Sequence, residues 1–125
     1  MKVKILSLMA IVLVFMGCTV LRNLNPHLYP PTVKERQAYV ETAPQLTPAQ
    51  REAVLNGDII IGMTRDDVKA SRGYATKING TVATHGVYEQ WIMGPMDPMA
   101  ARPKKCKQYF YIYFENGIVT GWQNW

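Results

Sequence analysis

Two cysteines and two histidines in 125 residues leave little material for metal or disulfide chemistry. His27 and His85 are far apart and have no Cys or carboxylate at ligand spacing, so no metal or other cofactor is expected. The glycines form no phosphate loop, and Ser71 lacks the strand-to-helix context of a nucleophile elbow. Glu89 and His85 come without a nucleophile or a group to orient them, so the expectation is a protein that is not an enzyme. The formal charge of +5 is not gathered into a basic face interleaved with aromatics, which argues against nucleic acid as a partner. Nor is there an apolar run of the about 20 residues a membrane-spanning helix needs.

What is present begins at the start of the chain. Lys2 and Lys4 lead into an apolar stretch from Ile5 to Phe15, broken only by Ser7, and then Gly17-Cys18. A basic start followed by a short apolar run suits an export signal. Phe15-Met16-Gly17-Cys18 resembles a lipobox, which implies cleavage after Gly17 and acyl chains on Cys18 as the lipid attachment. At about 0.8 kcal/mol per buried methylene, several chains would anchor the protein durably. Thr19, where inner-membrane retention would use Asp, implies the periplasmic face of the outer membrane. Removal of residues 1–17 leaves 108 of the 125 residues and takes Lys2 and Lys4 away, lowering the formal charge from +5 to +3. The organisation expected is a signal peptide over 1–17, a lipidated Cys with an extended, proline-containing tether over 18–31, and one domain over 32–125.

Within that domain three helix starts carry capping chemistry: Thr32 with Glu35, Thr47 with Gln50 and Pro48 between them, and Thr64 with Asp67. The first helix is predicted over Val33 to Thr42, before Pro44, and the second from Pro48 to about Leu55, stopping at Asn56-Gly57. The third ends at Gly73, with Met63 and Val68 placed to close a hydrophobic staple. Ile59-Ile60-Ile61 reads as a buried connector or core strand. Lys77 to Gly86 reads as a polar connection, followed by strands over Val87 to Met93, Gln108 to Phe114 and Ile118 to Trp125. Asn116-Gly117 marks a two-residue hairpin turn. An unbroken register from that turn sets Ile112 opposite Gly121 and Tyr111 opposite Trp122. Phe110, Ile112, Phe114 and Val119 then share a core face, where Gly121 leaves room for a helix. Tyr109, Tyr111, Tyr113, Thr120 and Trp122 share the other.

Ile61-Gly62-Met63-Thr64-Arg65-Asp66-Asp67-Val68, Gly73, Glu89-Gln90-Trp91 and Tyr113-Phe114-Glu115-Asn116-Gly117 together resemble the SmpA/OmlA (BamE-like) family of outer-membrane lipoproteins. The resemblance implies an α+β fold, a two-layer sandwich of N-terminal helices on a three-stranded antiparallel sheet, here with one extra N-terminal helix. It also implies an accessory role in envelope or outer-membrane β-barrel assembly, with an envelope protein as partner and no small-molecule substrate. Tyr74-Ala75 stands where the family has a residue and a proline, and Thr32 to Thr42 replaces an extended polar segment. A similar unit occurs in secreted inhibitors of β-lactamases, so an inhibitor or sensor of an envelope enzyme is the alternative, and a purely structural role a third.

The candidate partner-binding residues are Tyr109, Tyr111, Tyr113 and Trp122, since aromatics with a polar edge concentrate at interfaces. The same rings also suit packing beneath the extra helix or beneath the long loop, and both readings stand. Between Gly94 and Lys107, the cations Arg102, Lys104, Lys105 and Lys107 are candidates for contact with an anionic surface, though the stretch reads first as a solvated loop. Cys106, flanked by Lys105 and Lys107, reads as a tolerated surface thiol in preference to a redox or dimer-forming one.

Overall fold

Each of the three described helices begins with a threonine whose hydroxyl accepts the amide three positions on, while the side chain of that same residue accepts from the threonine amide. A computed structural model of the chain describes residues 30–94 and 109–124. It contains α1 (Val33–Thr42), α2 (Pro48–Asn56), α3 (Arg65–Arg72), β1 (Lys77–Ala83), β2 (Gly86–Met93), β3 (Phe110–Glu115) and β4 (Ile118–Asn124). Reciprocal capping boxes open all three helices, at Thr32–Glu35, Thr47–Gln50 and Thr64–Asp67. Such a box satisfies amides that the first helical turn leaves unpaired. Gly57 then closes α2 in the left-handed region, at φ 74°. The signal segment, Cys18, the tether before residue 30, Arg102, Lys104, Lys105, Cys106, Lys107 and Trp125 lie outside the described residues.

The class is α+β: three N-terminal helices followed by a four-stranded antiparallel open sheet in the order β1-β2-β3-β4. The expected count of three strands is corrected by β1, which occupies the polar stretch read as a connection. It pairs along its whole length with β2, from Lys77 opposite Ile92 to Ala83 opposite Gly86. All seven of its residues are exposed, Ile78 and Val82 among them, so burial imposes no continuous apolar run on it. Pairing to β2, rather than packing, holds it extended.

The β3–β4 turn has Asn116 at φ 50° and Gly117 at φ 82°, the pair of positive values that a type I′ hairpin requires. Glu115 and Phe114 then face Ile118 and Val119 as expected. Beyond them a bulge at Thr120 shifts the ladder, so that Tyr113 faces Gly121, Ile112 faces Trp122 and Tyr111 faces Gln123. One extra residue exchanges the two faces of everything after it. Two expectations fall as a result. Gly121 moves off the core face, and a Cβ built on it meets nothing within 4 Å, so it makes no room for a helix. Trp122 leaves the tyrosines for the helix side, where it stacks on Phe110 with ring centroids 5.6 Å apart.

The helices supply Val40, Ala53, Val54 and Val68 to one buried cluster, joined by Met63 from the α2–α3 connection. The sheet supplies Trp91, Met93, Ile112, Phe114 and Val119 to the same cluster. Trp91 and Phe114 meet at 4.7 Å between centroids, tilted by 45°. The connector Ile59-Ile60-Ile61 forms no strand; it buries Ile59 and leaves Ile61 exposed. The added helix α1 packs on α2 and α3, and its Tyr39 hydroxyl donates to Asp67 Oδ1 at 2.7 Å. Burial, and then the Asp67 carboxylate, push the Tyr39 phenol above its ordinary value, so the hydroxyl keeps its proton and remains a donor. The helix α1 therefore packs in the helix layer, and among the described residues no helix covers the tyrosines.

Candidate binding face of the sheet

Side chains alternate across each strand, so the register sorts the sheet into two chemically different faces. On the helix side, Glu89 is the polar centre. Arg65, the first residue of α3, donates through Nε to Glu89 Oε2 at 3.1 Å and makes a second contact from Nη2 to Oε1. Trp91 Nε1 donates to the same Oε2 at 2.8 Å. Lys69 adds its ammonium 5.8 Å from the centre of the Trp91 ring. The Arg65 bonds hold the Glu89 carboxyl below its ordinary value; burial opposes this, and the Trp91 bond reinforces it. A carboxylate bound on both oxygens in this way ties α3 to β2 and is a poor proton acceptor. Similarly, Ser71 spends its hydroxyl on the Asp58 carbonyl at 2.6 Å, joining α3 to the segment after α2.

On the other face, one side chain from each strand joins a polar ladder. Asn79 Nδ2 donates to Gln90 Oε1 at 3.0 Å, Gln90 Nε2 to the Tyr113 hydroxyl at 3.3 Å, and that hydroxyl to Gln123 Oε1 at 3.2 Å. The donors all run in one direction, from β1 to β4, so each group in the row fixes the next. Tyr88, Ile92 and Tyr111 share this face by register with Gln90 and Tyr113. A shallow groove of about 310 Å³ crosses it, lined by Asn79, Thr81, Tyr88, Gln90, Tyr113 and Thr120 among others. Among the described residues, Lys77 at one end and Glu115 at the other are the charged residues on the face; its middle is amide, hydroxyl and ring.

Comparisons with models of protein families, with curated proteins and with solved structures find no match to this chain.

The expected site residues are thus distributed over three places. Tyr111 and Tyr113 stand on the open face, each half-buried. Tyr109 lies just before β3 and lines a cleft of about 330 Å³ at the end of the sheet, with Arg72, Tyr74, Met93, Phe110 and Asn124. Trp122 is on the helix side. Arg72 packs its guanidinium over Phe110 at 4.7 Å, so the end of α3, Phe110 and Trp122 form a stack at that corner. Asn79, Gln90 and Gln123 were missed by sequence reading as members of this face. The cations Arg102, Lys104, Lys105 and Lys107 and the lipid-attachment residue Cys18 are outside the described residues. Among the described residues no three His, Cys, Asp or Glu side chains gather into a metal-binding group.

Proposed function

We propose that this chain is a lipid-anchored, non-catalytic protein-binding module of the SmpA/OmlA type on the periplasmic face of the bacterial outer membrane. Its role is accessory to envelope or β-barrel assembly. The single observation that carries the binding role is the open face with its ladder from Asn79 to Gln123. Four strands present fixed donors and acceptors beside Tyr88 and Tyr111, and the helices that complete the core pack elsewhere. Pre-ordered polar groups beside aromatic rings lower the entropic cost of binding and favour a protein surface with its own amides. The two-layer arrangement of the family is supported by the cluster that helices and one sheet face share. The anchor and the location rest on the Gly17-Cys18 junction and on Thr19.

The test is a mild-detergent capture of the full-length, lipidated protein from envelopes, with mass spectrometry of the proteins that accompany it. Recovery of outer-membrane assembly components, lost on Tyr111→Ser/Tyr113→Ser in a chain that still folds, supports the reading. Recovery of an unrelated envelope enzyme that the protein inhibits in vitro would replace it with the inhibitor reading.

A further inference from the structure

The two edges of the sheet are treated differently. At β4 the chain covers its own edge: the Gly62 amide donates to the Val119 carbonyl, the Val119 amide to the Met63 carbonyl, and Thr64 bridges Ile118. The bulge at Thr120 breaks the rest of that edge. Among the described residues β1 has no such cover. From Ile78 to Ala83 the strand has no proline, no charge and no register shift, and edge strands without these devices invite another strand.

Which groups β1 offers follows from its neighbours. The Val87 carbonyl accepts from the Asn116 amide at 2.8 Å and the Val87 amide donates to Asn116 Oδ1 at 3.0 Å, so the backbone of Val87 is turned towards β3. Val82, directly opposite Val87, is therefore in a non-hydrogen-bonded pair and turns its own amide and carbonyl outward. Alternation gives the same orientation to Gly80 and Ile78. The helix-side flank of this edge is bare as well, with Ile78 54% and Val82 83% exposed.

We propose that β1 is a homodimer edge, pairing antiparallel with β1 of a second copy about a twofold axis at Gly80. The sequence Lys77-Ile78-Asn79-Gly80-Thr81-Val82-Ala83 is self-complementary about that centre. Ile78 meets the partner's Val82 on the helix side, and Asn79 meets the partner's Thr81 on the open face. Gly80 meets the partner's Gly80 with no side chain at the axis, and Lys77 meets the partner's Ala83, so no like charges are opposed. The three residues that turn their amides outward, Ile78, Gly80 and Val82, are the ones this register brings into hydrogen-bonded pairs. An isologous contact of this kind closes at two copies. It continues the sheet across both molecules and joins their two open faces into one surface.

The experiment is sedimentation equilibrium of the full-length protein in density-matched detergent, with Ile78→Lys/Val82→Lys and Ile78→Lys/Val82→Glu beside the wild type. The wild type is expected at twice the monomer's protein mass. The lysine pair sets like charges opposite each other at both contacts and is expected to weaken the dimer by about a hundredfold. The lysine–glutamate pair sets opposite charges there and is expected to restore it. Both positions are more than half exposed in one copy, so the lysine variant should keep a cooperative circular dichroism melt, lower than the wild type's only by the contribution of the dimer. Two results overturn the proposal: a wild type that is monomeric throughout the micromolar range, including one that instead captures a strand of another protein, or a dimer indifferent to the lysine pair. Gly80→Pro, which removes the central outward amide, is expected to yield a folded monomer, and a persistent dimer would overturn the proposal equally.

Discussion

One sheet carries two hydrogen-bonded rows of opposite kind. On the helix side, Arg65, Glu89 and Trp91 concentrate charge at one point beneath α3; on the open side, Asn79, Gln90, Tyr113 and Gln123 spread neutral groups across four strands. In the first row both Glu89 oxygens are bound by Arg65 and Trp91, so its energy goes into joining helix to sheet. The second is bonded along the row and, among the described residues, open above it, which leaves lone pairs and amide hydrogens for another molecule. Substitutions on the two sides should therefore fall into different classes: loss of stability on one, loss of binding on the other.

The largest effect is expected at Trp91. It is 2% exposed, packs at a tilt on Phe114 and donates to Glu89. Trp91→Ala leaves a cavity and removes a donor from a carboxylate, and should cost about 3–5 kcal/mol in denaturant unfolding. A loss below about 1 kcal/mol would mean that the helix layer does not depend on this face.

Glu89 comes next. Its folded value lies below the unfolded one, near 4.5, so between the two the unfolded chain binds more protons and stability rises with pH. The contribution is complete above about pH 4.5 and is lost as pH falls through the lower folded value. Glu89→Gln should cost about 1.5–3 kcal/mol at neutral pH and flatten this acid limb in thermal melts recorded across pH. An unchanged limb would assign the acid sensitivity to other carboxylates.

The smallest stability change is expected at Gly121. An unbroken register makes it a contact point for a helix, where valine would clash. In the bulged register a Cβ there meets nothing within 4 Å. Gly121→Val should thus leave the melting temperature unchanged or raise it slightly, by up to about 1 kcal/mol of strand preference. A marked drop would restore the unbroken register.

Much of the helical half was legible because its signals are local. Thr32, Thr47 and Thr64 each bond a residue three ahead, and α1 spans the predicted Val33–Thr42. The Asn116-Gly117 turn was legible for the same reason, since only certain residues tolerate its backbone angles. What escaped were features set by distant partners. Strand β1 is exposed throughout, and Asn79 and Gly80 disguise a period-two pattern in which Ile78 and Val82 share a side. The Thr120 bulge has no strong local mark; its hydroxyl donates to the Tyr113 carbonyl at 3.3 Å, a cross-strand bond that sequence spacing does not announce. That single residue moved Trp122 out of the candidate site and brought Gln123 into it.

The central claim is that recognition belongs to the open face and not to the aromatic corner on the helix side. Its most direct test compares capture of envelope partners by Tyr111→Ser/Tyr113→Ser with capture by Trp122→Ser, each in the full-length lipidated chain and each checked for a cooperative melt. The account predicts that the tyrosine variant loses the partners while the Trp122 variant, 47% exposed in the wild type and on the other side, retains them. Partners lost with Trp122→Ser and kept with the tyrosine pair would contradict it.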